Sequence, residues 1–132
     1  MLFITSRMPT VNTEPELNTN FQFDLNNNSS HRAFFCCKRL KVGKYQEVGS
    51  KAMLSQLKDS QYRQIILYIH GFSNLPETVF ENVQEFQRLC NKQKDREVLV
   101  LPVIWPCDND LGIIKDYWDD QKAADQSAFA FA

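Results

Sequence analysis

The sequence predicts an α/β fold in which antiparallel N-terminal strands are followed by parallel strands with flanking helices. Three observations carry this reading. Residues 65–69, Ile-Ile-Leu-Tyr-Ile, form an apolar run without alternation, the habit of a strand covered on both faces in a parallel sheet. Over 75–94 the apolar residues Val79, Phe80, Val83, Phe86, Leu89 and Cys90 recur at intervals of three and four, which is a helix stripe. A second apolar run follows at 97–105, so strand, helix and strand succeed one another as a crossover requires.

Residues 2–6 read as a first strand, closed by Pro9 and a polar, turn-rich run over 10–20. The cluster Asn-Asn-Asn-Ser-Ser at 26–30 reads as a loop, and 32–40, containing Ala33, Phe34, Phe35, Cys36 and Cys37, as the second strand. Together these give the antiparallel edge of a mixed sheet. His31, at the loop's border, reads as a solvated side chain. Residues 42–48, between Gly43 and Gly49, are a turn and a short extended piece. Ser50 then caps a helix with Ala52, Met53, Leu54 and Leu57 on its apolar face, which carries the chain across to a central strand at Gln64. In the run 97–105, Pro102 lacks a ladder donor, so regular pairing is expected to end near Leu101. From about residue 113 onward Ile114, Tyr117, Trp118, Ala124, Ala128 and Phe131 mark another apolar stripe.

Charge excludes some partners. Lys and Arg total 15 against 16 for Asp and Glu, so no global field recruits nucleic acid or an anionic membrane. The opening Met1-Leu2-Phe3-Ile4 is short for a signal-peptide core of about 7 to 15 residues, and no apolar run nears the ~18 of a spanning helix. A cytoplasmic location is expected. Cys36 and Cys37 are adjacent, so in a strand they point to opposite faces, and neither they nor Cys90 and Cys107 show zinc-type spacing. Asp108-Asn109-Asp110 reads as a polar loop, because a calcium loop wants an oxygen ligand where Gly112 stands. No metal and no cofactor are expected.

Chemistry concentrates where the run 65–69 ends in His70-Gly71-Phe72-Ser73-Asn74. Gly71 is expected to supply backbone freedom, and Asn74 to cap a helix through its spacing to Glu77. Unpaired N–H groups at such a turn, with the helix dipole, suit an anion. Glu77, Glu81 and Glu85 early in the helix, against Arg88, Lys92 and Lys94 late, read as a solvated face in accord with the macrodipole.

The turn His70-Gly71-Phe72-Ser73 resembles the third-strand turn of the α/β-hydrolases, whose backbone N–H groups form half of the oxyanion hole. The run 98–105 followed by Pro106 is similar to the next strand in a poorly characterised microbial branch of that superfamily. There a Trp-Pro pair leads into a helix with a Tyr-x-x-Asp pattern, matched here by Tyr117 and Asp120. The likeness covers roughly residues 64–132. It implies that the N–H groups of Phe72 and Ser73 act as oxyanion donors, with His70 and Gly71 shaping the loop. For His70 a backbone-bonded structural role stands beside proton transfer; Trp105 and Tyr117 line a substrate pocket or belong to the core.

The resemblance also shows what is missing. The glycines are Gly43, Gly49, Gly71 and Gly112, and none flanks a serine in the Gly-x-Ser-x-Gly elbow that the family requires. The helical pattern runs to Ala132 without a stop signal. One incomplete domain over 1–132 is expected, with N-terminal strands and a helix in 1–63, and strand, oxyanion turn, helix, strand and helix in 64–132. The implied function is the N-terminal portion of a serine hydrolase acting on an ester, thioester or amide of a small acyl substrate, inactive by itself. The alternative is a noncatalytic, degenerate hydrolase that binds a protein partner through an exposed sheet edge. A nucleotide-binding domain is disfavoured, since no Gly-rich phosphate loop follows any strand.

Overall fold

The structure is a computed structural model that describes residues 1–10, 16–94, 96–107 and 113–131. The polar run 108–110 and Gly112 lie outside these residues, as do the side chains of Ile114, Phe129 and Phe131. The elements are β1 (Leu2–Arg7), β2 (Asn20–Phe21), β3 (Ser30–Lys41), β4 (Lys44–Glu47), α1 (Ser50–Asp59), β5 (Gln64–Ile69), α2 (Pro76–Gln93), β6 (Val98–Ile104) and α3 (Ile113–Phe131). The strands form one six-stranded mixed sheet in the order β2-β4-β3-β1-β6-β5. β1, β3, β4 and β2 pair antiparallel, whereas β1, β6 and β5 run parallel.

Packing is centred on Phe3. Its ring meets Phe23, Tyr45 and Phe80 edge-on at 6.1, 5.6 and 5.1 Å between centroids, a favoured aromatic geometry. Val79, Phe80 and Val83 of α2 are buried with Val100 and Ile104 of β6, so this helix fastens both halves of the sheet. Leu89, at the end of the predicted stripe, is exposed.

Several expectations need correction. β5 is an edge strand, flanked only by β6, and not a central one covered on both faces: Leu67 is 53% and Ile69 57% exposed. Pairing does not stop at Leu101, since Tyr68 pairs with Pro102 and Ile69 with Val103. The reason lies in the alternation of backbone groups along a parallel strand. Val98, Val100 and Pro102 turn theirs to the β1 side, where β1 pairs only with Val103 and Ile104. Ahead of that pairing, Gln87 donates to the Val98 carbonyl and accepts from the Val100 N–H, both at 2.8 Å. Pro102 lacks its N–H where no strand asks for one.

Asn74 and Ser50 are not caps. Leu75 is the N-cap of α2, with no side-chain cap bond, because Pro76 at the first helical position forces its predecessor into extended backbone. Gly49 precedes α1 with a φ of 77°. The left-handed residue of the turn is Ser73, φ 58°; a Cβ at Gly71 would meet nothing within 4 Å. Glu77 is not merely solvated either. Arg39 grips its carboxylate through Nε at 3.1 Å and Nη2 at 2.5 Å, and it accepts from Tyr45 Oη at 2.6 Å and Gly43 N–H at 3.1 Å.

The inward face of α3 also differs from the apolar stripe. Asp120, Ala123 and Ser127 are buried while Tyr117, Trp118 and Ala128 are exposed. Polar partners explain this: Ser127 Oγ contacts Ser6 Oγ at 3.3 Å and Ser30 Oγ at 3.1 Å. His31 is half-buried, its ring 4.8 Å from that of Phe35. The four cysteines are free thiols. Among the described residues no helix is long and apolar enough to cross a membrane.

Candidate functional site

The three parallel strands β1, β6 and β5 end on one side of the sheet, and open α/β sheets place their ligand crevices outside such carboxyl ends. Arg7, His70, Trp105 and Cys107 converge there. The imidazole of His70, only 5% exposed, is fully committed. Nε2 faces the Trp105 N–H at 3.2 Å and must accept, which leaves the proton on Nδ1 to be donated to the Gly71 carbonyl at 2.8 Å. Trp105 returns the contact: its Nε1–H donates to the His70 carbonyl at 2.8 Å. Burial lowers the pKa of His70 from its ordinary value, so the ring is held neutral. Cys107 Sγ, itself buried, lies 3.6 Å from His70 Nδ1.

Ser73 donates its N–H to Asp120 Oδ2 at 2.7 Å, and Asp120 Oδ1 accepts from Asn28 Nδ2 at 3.1 Å. Asn74 turns its amide back on the loop, donating to the carbonyls of Gly71 at 3.2 Å and Phe72 at 2.8 Å. Among the described residues no hydrogen bond takes the Phe72 N–H. Phe72, Trp105, Tyr117, Asp120, Gln121 and Ala124 line a cleft of about 210 Å³. Phe72 and Tyr117, 47% and 49% exposed, meet edge-on at 5.9 Å on its rim. Thus the structure brings together all six residues singled out in the sequence: His70, Gly71, Phe72 and Ser73 in the loop, Trp105 beneath it, and Tyr117 opposite.

Arg7 escaped the sequence reading, while Asn28 entered it only as part of a loop cluster, Cys107 only as a thiol without zinc-type spacing, and Asp120 only as part of a pattern. Arg7 is 1% exposed. Its Nη1 donates to the Cys107 carbonyl at 2.6 Å and Nη2 to the Leu25 carbonyl at 3.1 Å, tying the ends of β1 and β6 to the 24–25 loop. A charged residue closing a strand that opens with Leu2, Phe3 and Ile4 was the available signal. Among the described residues no group of three His, Cys, Asp or Glu side chains is placed to hold a metal ion.

Comparison with curated proteins finds no match, and comparison with solved structures finds none. The family described as "Alpha/beta hydrolase of unknown function (DUF900)" matches residues 46–132. That match spans the crossover unit, the turn, the cleft and all of α3, well over half of the chain, and the chain therefore belongs to this α/β-hydrolase family.

Proposed function

We propose that this chain supplies the oxyanion-stabilising side of a serine hydrolase acting on an ester, thioester or amide of a small acyl substrate, and is inactive by itself. The observation that carries the reading is the Phe72 N–H: it lies in the turn after a parallel strand, makes no hydrogen bond among the described residues, and belongs to a residue lining the cleft. As a serine hydroxyl adds to the substrate carbonyl, its oxygen gains negative charge, and an N–H already fixed in place stabilises that charge without reorganisation. Loss of one such donor typically costs ~10² to 10³ in rate. The Ser73 N–H, expected from the sequence as a second oxyanion donor, is instead given to Asp120 Oδ2, so Ser73 holds the loop rather than the oxyanion, while His70 and Gly71 shape it. Trp105 and Tyr117 bound the space for the acyl group. The nucleophile, acid and base are supplied from outside these residues, in the cytoplasm, and the reaction uses no cofactor.

A fluorophosphonate serine probe tests this. No serine of the 132-residue chain should be labelled, and labelling of any would overturn the reading. The coding sequence beyond Ala132 should carry Gly-x-Ser-x-Gly within about 15 to 40 residues, the room for a loop and a strand.

The exposure of Leu67 and Ile69 on the edge strand favours a second reading, a noncatalytic protein that pairs β5 with another chain. An unprotected apolar edge is a template for strand addition. Leu67→Lys would then abolish association seen by sedimentation; unchanged association would exclude β5 as the contact.

A further inference from the structure

We infer that Asp120 is the positioning residue of the oxyanion loop: its carboxylate clamps the Ser73 amide, and through it aims the Phe72 N–H. The inference rests on the hydrolase reading for its purpose, but its geometry stands alone. A trans peptide is planar, with its C=O and N–H pointing in opposite directions. In the plane joining Gly71 to Phe72, the carbonyl is held by His70 Nδ1 and Asn74 Nδ2, so the Phe72 N–H must point away from both. In the next plane the Phe72 carbonyl is held by Asn74 Nδ2 and the Ser73 N–H by Asp120 Oδ2. Both ends of the second plane are tied, and the first is tied at one end only. The open end is the Phe72 donor.

Ser73 is a costly place for that arrangement. A non-glycine residue in the left-handed region crowds its Cβ against the following carbonyl oxygen, and such backbone persists only where its surroundings over-determine it. Asp120 provides that constraint. It is 1% exposed, projects from α3 far along the chain, and is itself oriented by Asn28. A charge-assisted bond of 2.7 Å to a backbone N–H is of the strong kind.

The test uses amide NMR and hydrogen exchange on the whole chain, so it is independent of hydrolysis. In Asp120→Leu the Phe72 and Ser73 amide resonances should move while those of β1 and β3 stay, and adding Ser73→Gly should return the Phe72 resonance, since glycine adopts the left-handed turn unaided. Where Asp120→Leu does not fold, Asp120→Asn keeps an acceptor oxygen without the charge. Ser73 amide exchange should then rise at least tenfold with Trp105 exchange unchanged. Unmoved Phe72 and Ser73 resonances in a folded Asp120→Leu chain would overturn the assignment. So would resonance shifts spread evenly over α3 and the sheet, failure of Ser73→Gly to restore Phe72, or unaltered Ser73 exchange in Asp120→Asn. A chain that proves to have no hydrolase role can still pass every arm, which separates the two ideas.

Discussion

The imidazole of His70 lies flat against the indole of Trp105, ring centroids 5.1 Å apart and planes 4° from parallel. Stacking and the two reciprocal hydrogen bonds make the pair one rigid block beneath the loop. Replacing His70 with Phe keeps a ring but leaves the buried Trp105 N–H without its acceptor, a loss of about 1 to 3 kcal/mol. Urea denaturation of His70→Phe against the parent chain measures it.

Acid should weaken the same block. Because burial depresses the pKa of His70 below 6.5, the unfolded chain takes up a proton that the folded chain refuses. Stability therefore falls as pH drops from 6.5 toward the folded value. Denaturation midpoints of the parent chain and His70→Gln, compared between pH 7 and about 5, should show the slope shrinking in the variant.

Glu77 titrates with the opposite sign. Burial alone would raise its pKa, but hydrogen bonds from Arg39, Tyr45 and Gly43 together hold it below 4.5. Its contribution is present above the unfolded value and disappears as pH falls through the folded one. Glu77→Ala should cost about 1 to 3 kcal/mol at neutral pH, since the half-buried Arg39 and the buried Tyr45 lose their acceptor. The gap from the parent chain should narrow below pH 4.5.

Phe3→Ala removes the ring that Phe23, Tyr45 and Phe80 surround. A loss of about 3 to 5 kcal/mol is expected, read as a lowered denaturation midpoint with unchanged slope.

Gly71→Ala should raise stability by about 0.4 to 1 kcal/mol, by restricting the unfolded chain at no cost to the folded one. Its Cβ would occupy empty space, and its backbone is not left-handed. A thermal melt decides the sign.

Most strands and helices were legible because they are apolar runs or stripes bounded by turn residues, though β2 was not; His70, Gly71, Phe72 and Ser73 were singled out because they close one apolar run, and Trp105 and Tyr117 only through the Trp-Pro and Tyr-x-x-Asp patterns. The polar face of α3 was not. Asp120 and Ser127 are buried only because Asn28, Ser6 and Ser30 meet them from about a hundred residues away, and no local period encodes that. Pro76 masked the cap in another way: it fixes the start of α2 by sterics, freeing Asn74 to bond the loop. The exposure of β5 was hidden because an edge strand and a central one share the same apolar composition.

β1 and β6 share only the pairs Ile4 with Val103 and Thr5 with Ile104, while Gln87 serves the stretch ahead of them. The antiparallel and parallel halves are consequently cemented less by ladder bonds than by the grease of α2 against Phe3, Val100 and Ile104. Since such burial loses strength in the cold, refrigeration should loosen this joint sooner than the hairpin of β3 and β4.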